Sequence, residues 1–149
     1  MPATQGAIEF GGVTPVLRVR DIAASLDYYT RVLGFKVNFV YDDFFASISC
    51  GRCGIFLSEG DQGNFGSWLW IDGKDVEVLH AQFMAAGAKI RHPPTNYSWA
   101  LEMQVEDPDG NILRFGSDPK KDQPEGEWLD MYGRRWLMGK LVEEPNQES

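Results

Sequence analysis

Cysteine and histidine are scarce in this 149-residue chain: Cys50, Cys53, His80 and His92 are all it has of either. The cysteines stand as Cys-Gly-Arg-Cys, a spacing that suits a metal site when a second pair accompanies it, and none does. They are expected to be metal-free thiols at a hairpin. His80 falls on an expected helix and His92 directly before Pro93 and Pro94, so neither is expected to be a ligand, and no metal or other cofactor is expected. Positive charge is short as well. Lys and Arg total 14 against 22 Asp and Glu, a formal charge of −8. Nothing in that balance would neutralise phosphates, which argues against a nucleic-acid partner, and an acidic field favours neutral or cationic ligands. No apolar run approaches the ~20 residues of a membrane span. Met1 to Phe10 carry no basic stretch followed by an apolar core, so the expectation is a soluble, cytoplasmic protein with no membrane partner. Gly60, Gly63 and Gly66 do not open a helix, which excludes a phosphate-cradling loop. Asn96-Tyr97-Ser98 matches a glycosylation acceptor, but without a secretion signal it is read as chance. No nucleophile or acid–base pair stands out, so no catalytic residue is assigned.

Apolar residues make up 43% of the chain and aromatics 13%, enough for one packed domain without staples. Val13 to Val19 alternates as a strand. Asp21 then caps a helix carrying Ile22, Leu26, Tyr29, Val32 and Leu33, and Gly34 stands where a helix end wants positive φ. Strands are expected over Phe35 to Tyr41, Phe44 to Cys50 and Cys53 to Ser58, separated by Asp42-Asp43 and Gly51-Arg52 turns. After a polar, glycine-rich link the order recurs: a strand over Ser67 to Ile71, a helix from Asp75 to Ala86 ending at Gly87, and strands over Ala88 to His92, Trp99 to Val105 and Asn111 to Gly116. Pro93-Pro94 is read as a break. Leu26, Gly34 and Val37 return 53 positions later as Leu79, Gly87 and Ile90.

The division that follows is an N-terminal extension (1–12), a first βαβββ module (13–60), a second (61–118) and a C-terminal extension (119–149). The fold class is α+β, with two tandem modules forming a curled, mixed eight-stranded sheet, an open cup with the helices on its outer face. In the last extension Trp128, Met131, Tyr132 and Trp136 fall at helical spacing, which predicts a short helix serving as brace, dimer contact or lid. The tail from Glu143 to Ser149 has nothing to bury and is expected to be loose.

The doubled module, Val19-Arg20-Asp21-Ile22 into Tyr28-Tyr29 and Leu33-Gly34-Phe35, and Asp107-Pro108-Asp109-Gly110-Asn111 into Arg114-Phe115 together resemble the vicinal oxygen chelate superfamily. This group holds glyoxalase I, extradiol dioxygenases, fosfomycin-modifying enzymes and bleomycin resistance proteins. The resemblance runs from about Val13 to Gly116. It implies that catalytic members hold one divalent metal on four inward strand positions, which here fall on Thr14, on Phe56 or Ser58, on Trp68 or Ser67, and on Arg114. None of these is a good metal ligand, and the last is itself a cation.

Strand parity fills the cup in another way. If Leu113 and Phe115 face the helix, Ile112 and Arg114 face the cup, and in the preceding strand Glu102 and Gln104 do the same. If the turn pairs Val105 with Asn111, Glu102 lies opposite Arg114. The expected ligand-binding lining is Phe45, Ser47, Phe56, Ser58, Trp68, Trp70, Trp99, Glu102, Ile112 and Arg114, aromatic with a few polar groups. The resemblance is greatest to the metal-free bleomycin-resistance branch, which implies a homodimeric binder that sequesters a cationic or aromatic antibiotic in crevices shared between subunits. The competing readings are a glyoxalase- or dioxygenase-type metalloenzyme with shifted ligands such as Glu102, and a protein-interaction or regulatory module.

Overall fold

The structure is a computed structural model and describes residues 6–143, the side chain of Glu143 excepted; the rest of the expected loose tail lies outside the described residues. Eight strands form two four-stranded sheets, one per module. The first sheet holds β1 (Val16–Arg18), β2 (Lys36–Tyr41), β3 (Phe45–Cys50) and β4 (Cys53–Ser58) in the order β1-β4-β3-β2. The second repeats it with β5 (Trp68–Asp72), β6 (Lys89–Asn96), β7 (Leu101–Glu106) and β8 (Ile112–Ser117) as β5-β8-β7-β6. In each, the strand before the helix lies parallel to the last strand and every other pairing is antiparallel.

The helices start and stop where the sequence punctuates them. α1 (Ile22–Asp27) is N-capped by Asp21, whose carboxylate accepts from the Ala24 N–H at 3.1 Å, and runs on into a π-helical stretch over Tyr28–Val32. α2 (Val76–Ala86) is capped by Asp75 and ends at Gly87, whose φ of 88° only glycine adopts without strain. Each helix covers one face of its sheet. Leu17, Ile48, Ile55 and Leu57 from the first sheet and Met103, Val105, Leu113 and Phe115 from the second form one buried core with Tyr29, Val76 and Phe83.

The modules are clasped by polar atoms at the β7–β8 loop. Tyr29 donates to Asp107 at 2.9 Å, Tyr28 to the Glu106 carbonyl at 2.7 Å, and the Arg20 backbone N–H to Asp109 at 2.9 Å. Asp107 also accepts from the N–H groups of Asp109 and Asn111. Burial raises its pKa against the pull of these hydrogen bonds, and burial likewise lifts that of the Tyr29 phenol.

Three expectations are corrected. β6 continues through Pro93-Pro94 rather than breaking there, with irregular register between His92 and Thr95; it is an edge strand, where a missing N–H leaves no ladder bond unmade. The five-residue loop Asp107–Asn111 closes with Asp107 N–H on the Asn111 carbonyl at 2.9 Å, so Glu106 pairs with Ile112, Gln104 faces Arg114 and Glu102 faces Gly116. The expected register was two residues short. Finally, the C-terminal extension holds no helix over Trp128–Trp136. It is a three-stranded antiparallel sheet, β9 (Glu127–Leu129), β10 (Arg135–Leu137) and β11 (Lys140–Glu143), in the order β11-β10-β9. Gly133 takes φ 81° in the first turn, and Met138 and Gly139 take φ 48° and 83° in the second, the positive pair that a tight hairpin requires.

Candidate functional site

The second sheet's face away from α2 is organised by Glu102, only 1% exposed. Parity puts it there, and four donors converge on it. Arg114 Nε donates to Oε2 at 3.1 Å and its Nη2 to Oε1 at 3.1 Å; the indole N–H groups of Trp70 and Trp99 reach Oε1 at 2.9 and 2.5 Å. A bidentate guanidinium and two indoles thus satisfy both oxygens of a buried carboxylate. The expected pairing of Glu102 with Arg114 is present, diagonally across the ladder rather than directly opposite. Trp70 reaches Glu102 by lying across Gly116, where a Cβ would come within 2.4 Å of the indole.

The extension closes over this face. Gln104 donates to the Leu129 carbonyl at 2.8 Å, Tyr97 to the Glu127 carbonyl at 2.7 Å, and Arg91 to Gln104 and the Asp130 carbonyl. The Trp128 ring sits 6.3 Å from Trp68, and the Arg114 guanidinium stacks 4.7 Å from its centre. Tyr97 and Trp99 lie parallel at 4.8 Å, with Trp128 steeply inclined to both at 5.6 and 6.2 Å. Beside them is a cavity of about 450 Å³ walled by Tyr97, Trp99, Trp128, Trp136 and Met138, with Glu125 and Asp130 at its polar side. Burial would raise the Asp130 pKa, but hydrogen bonds from Trp136, Arg134 and the Tyr132 N–H hold it well below the usual carboxylate range. A larger cavity, about 860 Å³, opens between the modules along Pro15, Cys53, Leu69, Ile71, Leu79 and Phe83.

Among the described residues, no strand of the C-terminal sheet covers the first sheet's corresponding face. Phe45 and Phe56 meet at 5.2 Å and Phe39 stacks on Phe45 at 6.4 Å. Asn38 bridges Ser47 and Ser49, and Ser58 is buried with no hydrogen-bond partner for its Oγ among the described residues. The expected lining therefore falls into two groups on separate sheets: Phe45, Ser47, Phe56 and Ser58 on one, Trp68, Trp70, Trp99, Glu102 and Arg114 on the other. Ile112 is 4% exposed and packed rather than open. Sequence reasoning missed Tyr97, Trp128 and Asp130. The signal was a near-repeat, Glu127-Trp128-Leu129 and Arg135-Trp136-Leu137 around an Asp130/Gly133 turn, whose central residues pair as Trp128 across from Trp136.

The donor set does not fit the divalent metal that the fold family uses. The positions that the resemblance implies for metal ligands carry Thr14, Phe56 or Ser58, Trp68 or Ser67, and Arg114, and Glu102 has both oxygens engaged. Among the described residues, no three of His, Cys, Asp and Glu are grouped to hold an ion. Cys50 and Cys53 face each other as free thiols across the β3–β4 turn. No helix of the described chain is long and apolar enough to cross a membrane.

Among solved structures, the chain is similar to a bleomycin-binding protein from Streptomyces verticillus complexed with copper(II)-bleomycin, at 26% identity and TM-score 0.64 over 76% of this chain and 100% of that one. It is similar in fold to TnmS3, an antibiotic binding protein from a Streptomyces species, at 18% identity and TM-score 0.65 over 76% and 100%. A virulence protein from Salmonella typhimurium aligns at 20% identity and TM-score 0.60 over 74% and 99%. No curated protein matches the sequence. The model of the Glyoxalase/Bleomycin resistance protein/Dioxygenase superfamily matches residues 12–115, both modules and none of the C-terminal sheet. With its doubled βαβββ unit, the chain belongs to that superfamily.

Proposed function

We propose that this chain is a metal-independent small-molecule-binding protein of the bleomycin-resistance type, sequestering a cationic or aromatic antibiotic. The observation that carries the reading is the Glu102–Arg114 pair: at a position where metal-using relatives place a ligand stands a guanidinium held at 3.1 Å by a buried carboxylate. Shifted ligands built on Glu102 would have to break four hydrogen bonds first. The likeness to a bleomycin-binding protein at 26% identity supports the ligand class, as do the aromatic faces carrying Phe45, Phe56, Trp68, Trp70 and Trp99.

A homodimer belongs to the same reading. Phe39 and Tyr41 stand 51% and 60% exposed on the edge strand β2, an arrangement that invites cover. A second copy would give each aromatic face an opposing wall. Light scattering at micromolar concentration is expected to return a dimer, and a monomer would remove the shared crevice.

The functional test is a thermal-shift screen of copper-bleomycin, other cationic and planar antibiotics, and metal salts. Selective binding to the native state at a hundred times Kd stabilises by about 2.7 kcal/mol, so at least one antibiotic is expected to raise the Tm. Stoichiometric zinc, nickel, manganese or iron in protein purified without chelator would overturn the reading.

A further inference from the structure

The cavity beneath the C-terminal sheet lies outside the residues that define the family, since Trp128 and Trp136 stand beyond the 12–115 match. Its walls set it apart from an ordinary surface dimple. Tyr97 and Trp99 stack with only 5° between their planes, and Trp128 stands at 73° and 68° to them. Two parallel walls would make a slot for a flat ring. A steep corner leaves no parallel slot, and a cavity walled by rings at different inclinations suits a compact, rounded group.

Trp99 is held in place although it is 53% exposed. Its N–H is fixed on Glu102 at 2.5 Å and one face is stacked on Tyr97, so the indole is oriented before any ligand arrives. Two of the wall indoles already accept cations from this chain. The Arg114 guanidinium, which is not part of the wall, sits 4.7 Å from the Trp128 centre, and that of Arg134 sits 5.6 Å from Trp136.

Both of those guanidiniums are neutralised, by Glu102 and Asp130 respectively. Glu125 lines the cavity with no hydrogen-bond or ion-pair partner among the described residues, so it brings an unspent carboxylate to the cavity wall. Aromatic rings around one cavity beside an unspent carboxylate are a means by which proteins hold methylated ammonium groups.

From this corner we infer that the cavity of about 450 Å³ between Trp99, Trp128 and Trp136 is a binding site for a compact organic cation of the methylated-ammonium class. The site is built by the second module and the C-terminal extension together, and it does not depend on antibiotic capture in the cup. Ring faces supply the attraction for the cation, and Glu125 at the rim supplies its counter-charge. Gly126 allows the strand to enter here, because a Cβ would come within 2.3 Å of the Thr95 methyl.

The test uses the full chain, with choline as probe and its neutral carbon isostere, 3,3-dimethylbutanol, as control, read by tryptophan fluorescence and calorimetry. Choline is expected to bind saturably and about tenfold more tightly than the isostere, the scale of a cation over desolvated rings. Trp99→Leu should weaken choline about tenfold. Glu125→Gln, a near-isosteric change at a half-buried residue of the cavity wall, should weaken it about threefold and leave the isostere unaffected. Equal affinity for the two compounds overturns the assignment, as does no saturation with millimolar choline. Tight binding of neutral quinoline without choline binding would show a stacking slot and also overturn it. Copper-bleomycin in parallel separates the two readings: an antibiotic-positive, choline-negative result removes only this site, and the reverse removes only antibiotic capture.

Discussion

The two modules repeat each other in backbone and part company at one pair of positions. Asp21 and Asp75 cap the two helices and set the correspondence; the parallel partners Val16 with Phe56 and Trp70 with Arg114 carry it across each sheet. Phe56 then answers to Arg114. Two residues before the matched partners Ser47 and Gln104, Phe45 answers to Glu102. The first module fills this place with two rings 5.2 Å apart, the second with an ion pair at 3.1 Å. Rings need only apolar burial, and among the described residues no added strand covers that face. An ion pair away from water needs its remaining donors and acceptors matched. Trp70 and Trp99 match those of Glu102, and the C-terminal sheet matches the neighbouring Gln104 and Arg91. The extension is the complement of a polar face, which is why only one of the two duplicated faces has one.

Breaking the ion pair should have the largest effect. Glu102→Ala leaves a half-buried guanidinium and two indole N–H groups without their acceptor, and is expected to lower stability by about 3–5 kcal/mol in urea denaturation. The sharper test transplants the first module's solution. Arg114→Phe combined with Glu102→Phe should recover part of the single-mutant loss, with a coupling of at least about 1 kcal/mol. Strict additivity would mean that the two modules do not offer equivalent solutions at this place. Arg114→Glu asks the converse question: with the cation removed and two carboxylates on one face, calorimetry with zinc or manganese should detect weak binding that the parent lacks.

Removing the cover comes next. A chain ending at Gln123 loses the hydrogen bonds from Gln104, Arg91 and Tyr97 to the extension, each worth about 0.5–1.5 kcal/mol net. The expected destabilisation is about 2–4 kcal/mol, with the Trp68 and Trp99 rings exposed to a fluorescence quencher. Unchanged stability would make the extension an independent appendage.

The fold was legible because its signals are local and redundant. Asp21 marks a helix start through its side-chain oxygen on the Ala24 N–H, Gly34 and Gly87 mark helix ends through positive φ that few other residues tolerate, and period-2 patterning put Glu102, Gln104 and Arg114 on one face. Register was not local. It depended on Asp107 drawing two N–H groups of its own loop onto one oxygen, which placed the five-residue loop one position further along the chain and moved the partner of Arg114 from Glu102 to Gln104. The extension failed for a different reason. Trp128, Tyr132 and Trp136 at four-residue steps satisfy a helix and also a hairpin, and only Gly133 at positive φ and the matched Glu-Trp-Leu and Arg-Trp-Leu triplets distinguish the two. The cover over the second face followed from that error, and Tyr97 and Trp128 went unassigned with it.

A smaller effect probes the uncovered face. Ser58 is buried with an unpartnered hydroxyl, so Ser58→Ala removes a group that costs stability without returning a hydrogen bond. The substitution should be neutral or stabilising by up to about 1 kcal/mol. If the first face receives a polar ligand group, the same change should weaken that ligand in the thermal-shift screen while raising the Tm of the free protein. A loss of more than about 1 kcal/mol would mean that the hydroxyl is satisfied after all.

The smallest effect is a pH dependence that separates covered from uncovered aromatic residues. Tyr97 is pushed up to about 12 chiefly by burial, with the Glu102 carboxylate adding to the shift. A phenol whose folded value lies above its ordinary 10 keeps its proton when the unfolded chain has lost one. Its contribution to stability is therefore complete below pH 10 and lost as pH rises through about 12. Tyr28 and Tyr29, also raised by burial, add to the same slope. Urea denaturation across this range should show stability falling with pH in the parent and falling less steeply in Tyr97→Phe. The chain ending at Gln123 should move the Tyr97 titration, followed by ultraviolet absorbance, back toward 10, because the strand that excludes water from the phenol is gone. An unmoved titration in the truncated chain would locate the burial of Tyr97 in the second module itself and detach it from the C-terminal sheet.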